Sequence, residues 1–218
     1  MFKTLIGGLL GGLAMYLIGF LFWGTPLSNI AYSRIDGQAS ATLQAQLAQA
    51  LTQSGTGVYA IPSPGSSEGT ILYGKGPVAQ VMFNTAGFPV VDSSSLIAGL
   101  VLALIVGVIL AFALRAVTID AATRGRAAIL FAFAAVLWMH IGQPIFNHAP
   151  WGYFLYLAFS DFLGLAAAGL IAARFADSRA DSRETRTAPA PKVEPTFKPA
   201  ATSEPAPGPR IDPLGPTI

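Results

Sequence analysis

Four apolar runs dominate this chain and leave few ways to fold it. They cover residues 5–23, 96–114, 127–145 and 151–173, and only the last contains a carboxylate or a Lys/Arg side chain, Asp161. Each approaches the roughly 20 residues that a helix rising 1.5 Å per residue needs to cross the hydrocarbon core of a bilayer. Inside lipid every backbone N–H and C=O must be satisfied within the chain, and uninterrupted runs of this length do so as helices. The remaining composition agrees. Charged residues make up 11% of the chain, against about 25% in an ordinary soluble domain. Of the 24 charged side chains, twelve fall at residues 177–212, leaving twelve for the first 176 residues. Trp23, Phe146, Trp151 and Tyr153 stand near the ends of the runs, where amphipathic rings suit a membrane interface. The sequence therefore predicts an all-α integral membrane protein with four transmembrane helices.

Lys and Arg set the expected orientation. Lys3 precedes the first run, Arg115, Arg124 and Arg126 lie between the second and third, and Arg174, Arg179, Arg183 and Arg186 close or follow the fourth. The opposite side carries only Arg34 and Lys75 in a long loop, and residues 146–150 contain no Lys or Arg. The positive-inside rule then puts both termini in the cytoplasm and residues 25–94 outside. In a bacterium with two membranes this means the inner membrane. The first run exceeds the roughly 7–15 apolar residues of a signal peptide, and no small-x-small cleavage site follows it, so an uncleaved anchor is expected.

Four parts result: transmembrane helix 1 at 1–24, an extracytoplasmic insert at 25–94, helices 2–4 at 95–175, and a tail at 176–218. The insert reads as a small α+β unit. Leu43, Leu47 and Leu51 share one face of a helix over 38–53, with Asp36 or Ser40 to cap it and Gly55 and Gly57 to end it. Strand-like runs follow at 58–61, 70–73 and 78–83, separated by Pro- and Gly-rich turns. A helix laid on a small antiparallel sheet is expected, with a core too small to stand without the membrane or a partner. The tail holds nine of the sixteen prolines and six basic against six acidic residues. Such a composition cannot bury enough apolar surface to fold, so the tail is expected to be disordered.

Most chemistries have no residues to carry them. Without cysteine there is no disulfide, thiolate metal site or catalytic thiol, and two histidines make a histidine-rich metal site improbable. No GxSxG, HExxH, paired-carboxylate or phosphate-loop pattern occurs, and Ser93, Ser94 and Ser95 read as a cap for the second span. There is no interleaved basic and aromatic array for nucleic acid. Neither an enzyme nor a cofactor protein is expected.

What remains is a set of small and polar residues inside the spans. Gly7/Gly11 and Gly8/Gly12 are two overlapping GxxxG pairs, which let helix backbones approach closely in lipid. They would form a dimer seam or, with three helices already at hand, pack within the bundle. Asp161 sits near mid-depth, where an ionisable group is costly and marks a functional candidate. Tyr16 lies on the face of Gly8 and Gly12, and side chains tilt toward a helix N-terminus. This makes Tyr16 the expected hydrogen-bond partner of Asp161. His140, level with Tyr156 by equal steps from the turn, stands about 8 Å above Asp161 along the axis, a gap for one bridging water. Gln143 and Asn147 extend His140 into a polar stripe toward the outside. Either the stripe feeds protons or ions to Asp161, or these groups clamp helix register; the clamp is the reading the pattern favours.

The order of parts resembles a group of uncharacterised bacterial four-span membrane proteins with an extracytoplasmic insert after the first helix. Lys3 with Gly7-Gly-Leu-Leu-Gly-Gly12, Gly19-Phe-Leu-Phe-Trp23, Gly57-Val-Tyr-Ala-Ile-Pro62, Gly76-Pro77, and Asp161 with Gly164 carry the likeness. It covers roughly residues 1–175 and implies the layout, with no activity. The expected function is that of a non-enzymatic accessory or scaffold subunit in the lipid bilayer, with a protein partner or a second copy. A small proton- or ion-coupled transporter using Asp161 is the alternative.

Overall fold

A computed structural model describes residues 1–117, 120–176 and 208. The expected disordered tail lies outside the described residues, apart from Ala176 and Gly208. Four helical segments are long and apolar enough to cross a membrane. The first is α1 (Phe2–Trp23). After a short 3-10 turn come α2 (Gly37–Leu51), β1 (Gly57–Ile61), α3 (Ser67–Lys75) and β2 (Ala79–Phe83). The second span is α4 (Ser93–Val117). The third is composite: α5 (Ala121–Val136), one π-helical turn at Leu137–Ile141, and α6 (Gly142–Asn147). The fourth is α7 (Trp151–Phe175).

Helix α1 is the hub. It runs antiparallel to α4 on one side and α7 on the other, α5 packs on α7, and α4 and α5 touch little. Small residues set these distances. The chain is tightest at the Lys3 end, where Ala111, Leu114, Ala128, Ala172 and Ala173 form a buried cluster. Both GxxxG pairs are spent within the chain, one on each neighbour. Gly7 and Gly11 face Phe175 and Ala168 of α7, whereas Gly8 and Gly12 face the backbone of α4. A Cβ at Gly8 would lie 2.7 Å from the Val108 Cα, and one at Gly11 would lie 2.6 Å from the Ala168 carbonyl oxygen. Gly107 reciprocates, since a Cβ there would strike Gly8 and Gly12. Helices associate in lipid largely through such close packing.

The insert departs from expectation in two places. Residues 70–73 are helical, within α3, because local end signals outweigh their β-propensity. Ser66 Oγ accepts from the Gly69 amide at 2.9 Å, Glu68 lies in the first turn, and Lys75 and Gly76 (φ +67°) close the last. The sheet is therefore one antiparallel pair, β1 with β2, with Tyr59 opposite Val81. Nor does α2 lie on it: Asp36 caps α2 through the Ala39 amide at 2.9 Å, but the helix buries none of its residues. Of its leucines, Leu43 is exposed and Leu47 and Leu51 are half-buried.

The cap of α4 is Asp92, and the serines serve it rather than cap the helix themselves. Oδ1 accepts from the Ser94 amide and hydroxyl at 2.9 and 2.6 Å, and Oδ2 from the Ser95 hydroxyl at 2.7 Å. These bonds, the Ser94 hydroxyl first, hold the Asp92 carboxyl at about 2, below its ordinary 3.8. A depressed carboxyl contributes stability above its unfolded value and loses it as pH falls through the folded one. The Asp92 cap is thus expected to weaken between about pH 4 and pH 2. Carboxyl NMR titration should give a midpoint near 2, and Ser94→Ala should move it up toward the ordinary value. An unchanged midpoint in Ser94→Ala would show that the hydroxyl does not cause the shift.

Candidate functional site

Asp161 is bonded to His140. The His140 Nε2 and Asp161 Oδ2 atoms are 2.8 Å apart, with side chains 12% and 43% accessible respectively. This replaces the expected Tyr16 partner and the bridging water. The backbone register matches the equal-step count, because Gly125 faces Leu170 and Ala128 faces Gly169, which projects His140 to between Leu155 and Leu157, the level of Tyr156. Side-chain direction closes the gap. The helices are antiparallel and each side chain tilts toward its own N-terminus, so the imidazole and the carboxylate lean toward each other.

The π turn fixes the face. Arg124, Ala128, Ala132 and Val136 are buried at steps of four. Each such step overshoots a 3.6-residue turn by about 40°, so the stripe drifts around a regular helix. A wider turn takes up the drift, and here it spans Leu137–Ile141 with His140 inside it. Single π turns occur frequently at functional sites. Apolar spacing gives no sign of one, so the face that His140 presents could not be read from the sequence.

The other candidates are placed apart. Tyr16 lies by Gly99, its Cε2 3.8 Å from where a Cβ would stand. Tyr156 donates its hydroxyl to the Phe22 carbonyl at 2.7 Å. Asn147 donates to Gln143 Oε1 at 2.8 Å, so these two satisfy each other rather than extend a chain from His140. Two residues that the sequence did not place beside Asp161 join the site: Ser160, and Trp23, read there only as an interfacial aromatic. The Ser160 hydroxyl accepts from Trp23 Nε1–H at 3.1 Å and reaches Asp161 Oδ1 at 3.3 Å. Trp23 sits edge-on to Tyr32, Tyr153 and Tyr156 in an aromatic cluster at that end of the bundle. Ser160 preceding Asp161 in an apolar run was the available signal.

Because Tyr16 shares no bond with Asp161, Tyr16→Phe and Asp161→Leu should destabilise additively, within about 0.5 kcal/mol. Thermal unfolding of the singles and the double in detergent checks this. A coupling above about 1 kcal/mol would restore Tyr16 to the site.

The His140–Asp161 pair lies on the wall of a cavity of about 500 Å³ at the centre of the four spans. Its polar lining is His140, Ser160 and Asp161; the rest is apolar or glycine. Leu102 of α4 and Met139 of the π turn line it while each remains 62% exposed, on the side where α4 and α5 touch little. Among the described residues, no three His, Asp or Glu side chains group closely enough to share a metal ion. Chemically, the pair can exchange a proton or accept a hydrogen bond from a donor entering the cavity.

No known protein family, curated protein or solved structure matches this chain. What the fold defines is a class: a mostly helical chain with four candidate membrane spans and a small two-stranded sheet between the first two.

Proposed function

We propose that this chain is a non-enzymatic accessory or scaffold subunit of a larger membrane assembly. In this reading it sits in a bacterial inner membrane with both termini cytoplasmic and residues 25–94 in the periplasm. The insert carries the proposal. Between residues 25 and 92 only Ala31 and Gly69 are buried, while Met82, Phe88, Val90 and Val91 are 72% exposed or more. So few buried groups cannot offset the entropy of ordering such a segment. Contact with a partner, or with the membrane surface, supplies what the insert lacks.

Affinity purification in mild detergent tests this. A partner should co-purify with the natural chain and be lost from a Phe88→Asp, Val90→Asp variant that keeps its spans. A lone monomer under the same conditions would defeat the reading. Orientation is tested by reporter fusions: a tag near Ser66 should report periplasm and one at the C-terminus cytoplasm.

The contact of His140 with Asp161 on a cavity wall favours one other reading, a small proton- or ion-coupled transporter. Asp161 would carry the exchanged proton and His140 would relay it.

A further inference from the structure

Helix packing does not explain the shape of the central cavity. Gly19 of α1 and Gly99 of α4 line it. Where α1 meets α4 and α7, glycine marks contact, as at Gly8, Gly11 and Gly12, where any Cβ would strike the next helix. A Cβ on Gly19 would meet nothing within 4 Å, and one on Gly99 only the Tyr16 ring at 3.8 Å. The missing side chains at these two positions make room instead of closeness. The resulting volume, about 500 Å³, falls within the roughly 300–1,000 Å³ of small-molecule sites, which are likewise mostly apolar with a few convergent polar groups.

The polar groups define the ligand's head. A carboxylate is acceptor-only with about four lone-pair sites. Asp161 engages His140 and, weakly, Ser160, and its side chain remains 43% accessible. Any further partner of this acceptor must be a hydrogen-bond donor, and in an apolar surround a cationic donor is held most strongly. Leu102 and Met139 line the cavity where α4 and α5 touch little and both are largely exposed, which points to entry from the bilayer and a ligand body of hydrocarbon.

We propose that this cavity binds a membrane-dissolved amphiphile with a protonated amine head, the amine on Asp161 and the chain along Leu102 and Val106. The site stands whether the chain is an accessory subunit or a transporter, because it concerns a binding equilibrium alone.

The test uses the full chain in phosphatidylcholine nanodiscs with radiolabelled dodecylamine, beside dodecanol as the neutral donor. Dodecylamine should bind saturably, one per chain, and dodecanol should not bind saturably. Asp161→Asn should weaken amine binding about tenfold or more through the lost charge-assisted bond. Gly99→Leu should weaken it as much by filling the cavity, and Gly19→Leu fills it from the opposite wall and decides the matter if Gly99→Leu fails to fold. No saturable amine binding above protein-free discs would overturn the proposal. Dodecanol binding as tightly as the amine, or leucine variants that bind as the natural chain does, would overturn it equally.

Discussion

Gly12→Leu is expected to unfold the bundle or cost it about 3 kcal/mol or more, the upper part of the range for overpacking a tight interface. At Gly12 even the first carbon of a side chain would strike the Ala103 carbonyl and crowd the Leu104 Cα, 2.8 Å away. These are backbone atoms, so no rotamer change relieves the contact and α1 must move off α4. Moving it also forfeits the packing of Gly8 on Val108, because both glycines lie on the one seam. Gly19→Leu is the matched control. It adds the same side chain to the same helix where nothing lies within 4 Å, and it should stay within about 0.5 kcal/mol of the natural chain. Thermal unfolding in detergent measures both. If the Gly12 variant melted with the Gly19 variant, the close seam between α1 and α4 would be wrong.

His140→Leu carries the second large effect. It removes the partner of Asp161 and leaves a carboxylate among apolar helices. Leaving a buried hydrogen-bonding group without its partner costs about 1–3 kcal/mol, more where it is charged. About 2 kcal/mol is expected here, because the Asp161 side chain remains 43% accessible. Asp161→Leu added to His140→Leu should recover much of that loss, since two apolar side chains can fill the space of a pair. Asp161→Asn keeps an acceptor for His140 and should cost on the order of 1 kcal/mol. A His140→Leu variant as stable as the natural chain would remove the pair from the structure's supports. The same variants separate the two functions. Under the accessory reading Asp161→Asn folds and keeps its cellular phenotype; under the transport reading it folds and loses it.

The insert shows the limits of local pattern. Leu43, Leu47 and Leu51 announce a helix with an apolar stripe, and α2 forms, capped by Asp36 and not by Ser40, the other cap the sequence left open. The stripe says nothing of what it meets, and α2 buries no residue. At residues 70–73 a β-prone run lost to Ser66, Glu68 and Gly76, whose capping and charge decide so short an element.

The four long apolar helices were legible because a helix able to cross a bilayer needs about 20 apolar residues, and any run that long declares itself. The predicted span 96–114 lies inside Ser93–Ala116, and 151–173 inside Trp151–Phe175. The glycine pairs were legible as close-packing seams, and Asp161 as the costly residue that something must satisfy. Which helix each glycine meets, and which side chain meets Asp161, depend on crossing angle, tilt and one π turn. None of these has a periodic signature in a segment that is apolar on every side. Polar residues report a helix's facing when one side is wet; a helix apolar all round carries no such mark. Only the assembled bundle therefore brings His140 to Asp161 and leaves Tyr16 beside Gly99.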